Sequence, residues 1–124
     1  MLLLAACATS GEVAGPSEAA PTRLVHDVFF TLKDSSPEAC DSLADACLQL
    51  AKIPGVLHLT AGVRDASQQR AVNRQDYHVG LHVEFDSAEA YAAYGPHPVH
   101  QGLVEAFKAN FESVEVFDYL PETP

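Results

Sequence analysis

The stretch "DYHVGLHVEFDSAEAYAAYG" (residues 76–95) contains the clearest structural pattern in the chain. Its first ten residues alternate, with one side formed by Tyr77, Val79, Leu81, Val83 and Phe85 and the other by His78, Gly80, His82 and Glu84. A period of two predicts a strand with one face on a core. The following Asp-Ser pair at residues 86–87 is typical of a helix N-cap, so a short helix comes next.

Similar signals predict the elements on either side of this stretch. Strands are predicted at residues 23–32, 56–63 and 113–120 from their β-branched and aromatic content. A first long helix begins at Pro37, with Ser36 as N-cap, and buries a stripe of Cys40, Leu43, Cys47 and Leu50. Another helix covers residues 97–111, with Pro98 in its first turn.

The resulting order of elements is β-α-β-β-α-α-β. This order predicts an α+β, ferredoxin-like fold, in which helices cover one face of a four-stranded antiparallel sheet. The uncovered face carries Val25, Asp27, Phe29 and Thr31 on the first strand, and His58 and Thr60 on the second. Because this face is partly apolar, we expect a homodimer in which two sheets pack face to face.

Composition excludes some classes of function. Hydrophobic residues make up 48% of the 124 residues, which suffices for one domain with a core. The net charge of −10 disfavours nucleic-acid binding and recruitment to an anionic membrane by charge. Three cysteines are too few for a disulfide scaffold, and no motif indicates a cofactor.

The N-terminus has a separate character. Residues 1–7, "MLLLAAC", resemble the lipobox of bacterial lipoproteins, which predicts lipidation of Cys7 and attachment to the cell envelope. This segment lacks the basic residues and the apolar length of a full signal peptide, so a start further upstream, or a chance match in a cytoplasmic protein, is the alternative. A flexible tether is predicted for residues 8–22, a folded domain for 23–120 and a tail for 121–124.

Four segments together resemble one known family. These are "HDVFFTLKD" (residues 26–34), "IPGV" (53–56), "DYHVGLHVEFDSAEAYAAY" (76–94) and "HPVHQGLVEAF…FDY" (97–119). The combination resembles the stress-responsive A/B barrel (Dabb) family over most of the folded part. The resemblance implies a dimeric α+β barrel and little about function, since most members have no assigned activity.

One branch with this fold, the olivetolic-acid-type plant polyketide cyclases, catalyses an aldol condensation with a tyrosine and a histidine. Matched through the His-Pro-x-His run, these residues fall on Tyr94 and His100, and a first-strand pocket histidine falls on His26. The chain departs from the cyclases at Val79, where they have a further histidine. The resemblance therefore implies an acid/base pair, with His100 as general base and Tyr94 polarising a carbonyl, and leaves the substrate open.

Structural roles compete with this reading. His100 precedes Leu103 and Phe107 at helical spacing, so it faces the sheet, where it serves either as a base or as a buried hydrogen-bonding group. His97 is expected to cap the helix, and a metal shared by His97 and His100 is disfavoured because no third ligand lies nearby.

The strand histidines offer a second, weaker set of sites. His78 and His82 are about 13 Å apart along their strand, too far to share an ion. His58 lies across from His82 in some hairpin registers, so an ion shared by these two stays open beside the preferred role in the barrel interior or a pH-sensitive dimer interface. Cys40 and Cys47 are expected to be buried thiols beyond disulfide reach.

Two functions remain. The first is a binding module for a small apolar or aromatic carbonyl compound, and the second is a cyclase-like or lyase-like enzyme. In both, the compound occupies a pocket on the helix-facing side of the sheet. The predicted lining is His26, Val28, Phe30, Leu59, Val79, Leu81, Leu103, Phe111 and Val116.

Overall fold

The computed structural model describes residues 22–124. The strands are β1 (Leu24–Leu32), β2 (Val56–Val63), β3 (Val79–Phe85) and β4 (Phe111–Tyr119), and the helices are α1 (Pro37–Leu48), α2 (Ala88–Tyr94) and α3 (Pro98–Phe107). Short 3-10 turns follow α1 and α3. The predicted order of elements and the ferredoxin-like α+β fold are confirmed. Cys7 and residues 8–21 lie outside the described residues. Lipidation of Cys7 and the flexible tether therefore stay predictions.

All strand pairs are antiparallel, in the order β2-β3-β1-β4. The central strand β1 therefore pairs with β3 on one side and with β4 on the other. Its helix-facing residues are buried, among them Val28, Phe30 and Leu32. They form one core with the apolar stripe of α1 and the buried side chains of β3.

The helix starts follow the capping signals of the sequence. Ser36 accepts a hydrogen bond from the Ala39 N–H, and Ser87 accepts one from the Ala90 N–H. At the start of α3, His97 is the N-cap, since its Nδ1 accepts the Val99 N–H at 3.1 Å. These contacts satisfy amides that have no partner within their helix.

One predicted face assignment is wrong. Strand β3 begins at Val79, so the alternation does not extend back to Tyr77 and His78. The Tyr77 ring packs edge-on against Phe29 on the open face, with ring centroids 5.1 Å apart. His78 Nδ1 accepts the Leu32 N–H at 2.9 Å, because β3 has ended where this amide needs a partner.

The helices cover the sheet unevenly, and this unevenness creates the candidate site. Helix α1 packs on β2 and β3, whereas α3 makes its main contacts with α1 and the turn after it. No residue of α3 is fully buried. On β4, Val114 and Val116 face the helices and yet remain 43% and 47% exposed. A gap therefore separates α3 from β1 and β4.

Candidate functional site

A cavity of about 330 Å³ occupies this gap. Its wall is formed by His26, Val28, Phe30, Leu50, Leu81, Tyr94, His100, Leu103, Val104, Phe111, Val114 and Val116. Nine of these twelve side chains are hydrocarbon, and three carry a polar group. The cavity therefore suits a mostly apolar molecule with one or two polar atoms.

Most residues predicted to line the pocket lie on this wall. Seven of the nine do so, together with both residues of the predicted acid/base pair. Leu59 and Val79 do not, because they lie on the half of the sheet that α1 covers: Val79 is fully enclosed in the core and Leu59 packs against it. Sequence reasoning did not include Leu50, Val104 and Val114 in the lining, although Val114 has the strand parity of Val116.

Tyr94 ends α2 and is 2% exposed, with its ring edge-on to Phe85 at 4.8 Å between centroids. Burial is the main reason why the pKa of the Tyr94 hydroxyl is raised well above the usual tyrosine value, and the neighbouring Cys47 and Tyr91 add to the shift. The hydroxyl therefore stays protonated at physiological pH. It can donate a hydrogen bond to a carbonyl oxygen in the cavity.

His100 lies in the first turn of α3, and its ring centroid is 4.8 Å from that of Tyr94. Its Nδ1 lies 3.1 Å from the Gly95 carbonyl oxygen. Because a carbonyl oxygen only accepts, Nδ1 must carry the proton, which leaves Nε2 with a free lone pair in the neutral ring.

The environment of His100 favours this neutral form. Burial lowers the pKa of His100 below the usual histidine value of 6.5, and the nearby His26 lowers it further. The hydrogen bond to the Gly95 carbonyl raises the pKa, but by less than burial lowers it. The cavity wall thus combines a protonated hydroxyl with an unprotonated imidazole, which is the combination that enolisation of a carbonyl compound requires.

A hydrogen-bonded network supports the third polar group of the wall. His26 Nδ1 lies 2.7 Å from Asp118 Oδ1, and the Tyr91 hydroxyl donates to Asp118 Oδ2 at 2.9 Å. The Tyr91 oxygen is also 3.1 Å from His26 Nδ1. Because the Asp118 carboxylate accepts a hydrogen bond from the imidazole, the proton of the neutral His26 ring is on Nδ1. Burial, followed by the Asp118 hydrogen bond and charge, raises the pKa of Tyr91 to about 12.

Sequence reasoning missed Asp118 and Tyr91. Asp118 lies directly across the β1/β4 ladder from His26. The signal available was parity, since Asp118 has the same parity as Val114 and Val116 on the helix-facing side. The pairing of His26 with Asp118 joins residues 92 positions apart, and this register is a property of the assembled sheet.

His97 and the two cysteines of the folded domain have ordinary structural roles. His97 Nδ1 is used by the helix cap, and residues 22–124 contain no cluster of three or more side chains able to hold a metal ion. Cys40 and Cys47 are buried free thiols. Burial raises the pKa of Cys47 to about 12, so this thiol is not a nucleophile near neutral pH.

Comparison with known proteins identifies the family. The sequence profile of the stress responsive A/B barrel domain (Dabb) matches residues 24–121. The chain belongs to the Dabb family. None of the curated protein sequences matches it. Within residues 22–124, no helix is both long and apolar enough to cross a membrane.

Solved structures agree with this assignment. A Dabb family protein with a ferredoxin-like fold from Mesorhizobium loti is 30% identical, with a TM-score of 0.63 over 82% of this chain and 99% of that protein. Two more distant structures share the fold alone. A dimeric ferredoxin-like protein of unknown function from Thermobifida fusca is 18% identical (TM-score 0.69, 82% and 92% covered). The hydroxynitrile lyase of Passiflora edulis is 19% identical (TM-score 0.66, 84% and 97% covered).

The lowered pKa of His100 predicts how stability depends on pH. As the pH falls through 6.5, the unfolded chain takes up a proton on His100 before the folded chain does, because the folded pKa is lower, so acid favours unfolding. We expect the free energy of unfolding of the wild type to fall faster below pH 6.5 than that of His100→Asn, whose amide retains the hydrogen bond to Gly95. Urea unfolding at a series of pH values measures the difference.

The control for this experiment is Gln101→Asn, which alters an exposed neutral side chain on the same helix. It should follow the wild-type pH dependence. Parallel curves for the wild type and His100→Asn would contradict a depressed His100 pKa.

Proposed function

We propose that this Dabb domain binds a small apolar or aromatic carbonyl compound in the cavity between α3 and the sheet. The observation that carries the proposal is a mostly hydrocarbon cavity with the Tyr94 hydroxyl and the His100 imidazole on its wall. Its volume of about 330 Å³ falls within the range of small-molecule sites. Hydrocarbon walls supply affinity, and the tyrosine hydroxyl selects a molecule with a hydrogen-bond acceptor.

Filling the cavity tests the binding proposal. Val116 lines the cavity and is 47% exposed, so a larger side chain at this position occupies the ligand volume without displacing the core. We expect thermal unfolding of the wild type to shift upwards with at least one member of a panel of aryl ketones and aldehydes. Saturation at a hundredfold excess over Kd adds about 2.7 kcal/mol to stability. Val116→Phe should lose this shift.

The matched control is Val72→Phe, which places the same new ring on a loop residue that is 82% exposed. It should keep the wild-type response. Equal shifts for Val116→Phe and the wild type would locate the ligand elsewhere and overturn the proposed pocket.

The alternative function is an enzyme, and the protonation states of the two site residues favour it. His100 Nε2 would remove a proton from the carbon next to the carbonyl, while the Tyr94 hydroxyl donates a hydrogen bond to the oxygen that gains negative charge. Return of a proton to the same carbon regenerates the starting compound, so the step balances without a cofactor. Cyclase-like and lyase-like reactions are extensions of this proton transfer.

Exchange of carbon-bound hydrogen in D₂O tests this chemistry without knowledge of the natural substrate. We expect the wild type to speed deuterium incorporation next to the carbonyl of a bound aryl ketone, as followed by proton NMR. His100→Asn should reduce the rate by about 100-fold or more, the usual contribution of a general base. Tyr94→Phe should reduce it through loss of the hydrogen-bond donor.

Two comparisons separate this outcome from failure of the binding proposal. His97→Asn, which can still cap α3, should retain the exchange. If ketones shift the unfolding temperature of the wild type but the exchange rate does not exceed that of buffer, the domain is a binder and the enzymatic alternative fails.

We also propose that two copies form a homodimer through their open sheet faces. On this face Phe29 and Phe117 stack edge-on with centroids 6.0 Å apart, and Phe117 and Tyr119 are 55% and 51% exposed. The outer strands β2 and β4, of eight and nine residues, also leave backbone groups unpaired at both edges. Closure of two sheets into a barrel covers the apolar face and pairs the edges.

A charge on the open face tests the dimer. We expect wild type to sediment as a dimer and Phe117→Glu as a monomer, because the carboxylate would be buried without a partner. The control Leu48→Glu makes the same change at a residue that is 46% exposed on α1, on the helix side of the domain, and should remain dimeric. A monomeric wild type, or equal dissociation of both variants, would contradict this interface.

Attachment to the cell envelope through a lipid on Cys7 completes the proposal. Its support is the Leu-Ala-Ala-Cys sequence at residues 4–7 alone.

A further inference from the structure

The open face of the sheet contains a second histidine–carboxylate pair, separate from the cavity. His82 on β3 lies directly opposite Asp27 on β1, and His82 Nδ1 is 2.7 Å from Asp27 Oδ1. The carboxylate accepts a hydrogen bond from the Nδ1–H group, so the proton of the neutral ring is on Nδ1. In the neutral ring, Nε2 is therefore left as an unprotonated nitrogen, held in orientation by the hydrogen bond at the other side of the ring.

A second imidazole lies next to this one. In the ladder between β2 and β3, Thr60 is opposite His82, and His58 is the next residue along on the same face. The ring centroids of His58 and His82 are 6.0 Å apart, with planes inclined by 68°. His58 is exposed, so its ring is free to rotate.

We propose that His58 and His82 bind one divalent transition-metal ion, with Asp27 orienting His82. When two imidazoles bind one tetrahedral ion, nitrogen–metal distances of about 2.0–2.1 Å put their ring centroids roughly 5 Å apart. The observed spacing of 6.0 Å needs only a small rotation of the exposed His58 ring. A carboxylate behind a metal-binding histidine is the usual outer support of such sites, and it raises the basicity of the ring.

The surrounding charges favour a cation. Glu84 lies opposite His58 in the ladder, and its Oε2 is an enclosed oxygen without a hydrogen bond. Arg23 Nε approaches the same oxygen at 2.9 Å, without hydrogen-bond alignment. Arg64 and Asp65 line the same cleft as Asp27 and His82. With Glu84 and Arg23 included, three carboxylates lie near the histidine pair against two arginines.

The number and type of ligands define the ion. Since the described part of the chain holds no preformed cluster of three metal-binding side chains, water fills the other coordination positions. Imidazole ligands suit Zn²⁺, Cu²⁺ and Ni²⁺ rather than Mg²⁺ or Ca²⁺. The site is independent of the proposed ligand, because its three side chains belong to one chain and lie on the face of the sheet opposite the cavity. This open face is also the one that the proposed homodimer covers, so the ion and its water ligands would then lie inside the barrel.

Calorimetric titration of Zn²⁺ into the full chain, without a polyhistidine tag and after removal of metal with EDTA, tests the site. We expect one ion per chain for the wild type and loss of this binding in His58→Ala and in His82→Asn. The asparagine amide can still donate to Asp27, so the second variant removes the metal ligand and keeps the supporting bond. Asp27→Asn should weaken binding by about 10- to 100-fold.

The control is His97→Asn, which alters the other closely spaced pair of histidines and should bind Zn²⁺ like the wild type. Circular dichroism shows that each variant is folded before its titration is interpreted. In addition, electron paramagnetic resonance of the Cu²⁺ form should show coupling to imidazole nitrogens that disappears in both histidine variants.

Three results would overturn the inference. They are the absence of Zn²⁺ binding by the folded wild type, wild-type affinity in folded His58→Ala, and a stoichiometry of one ion per two chains. An affinity unchanged in Asp27→Asn, with both histidines required, would remove the supporting role of Asp27.

Discussion

The whole domain depends on the pairing of β1 with two neighbours at once. Because β1 lies between β3 and β4, each of its side chains points either at the helices or at the open face, and each meets a residue fixed by the register. Two consecutive residues of β1 show the result. His26 meets Asp118 of β4 on the helix side, and Asp27 meets His82 of β3 on the open side.

Each of these pairs joins an imidazole to a carboxylate, and each decides which ring nitrogen carries the proton. On the helix side the pair belongs to the cavity wall, together with Tyr94 and His100. On the open side it lies beside a third imidazole, His58. A shift of one residue in the register of β1 would exchange the two faces and separate both pairs.

The second constraint is the small helical cover. One long helix, α1, closes the core over β2 and β3, where Val79 and Phe85 are completely enclosed. Helix α3 packs against α1 and stands away from β4, so the space between them remains a cavity. Tyr94 is thereby shielded from bulk water and His100 is partly buried, while both side chains still line the cavity. Burial then keeps the hydroxyl protonated and the imidazole neutral.

Local sequence signals by themselves determined the helices and strands, the buried stripe of α1 and the helix caps at Ser36 and His97, and the order of these elements determined the fold class. They could do so because periodicity and capping act over a few neighbouring residues. Strand parity predicted five of the twelve residues on the cavity wall, which are His26, Val28, Phe30, Leu81 and Val116. Only the tertiary structure decided the partners of His26 and His82, the position of Tyr77 and the exclusion of Leu59 and Val79 from the cavity. Those outcomes depend on the register between strands distant in sequence and on where α3 comes to rest, and neither is encoded in a local pattern.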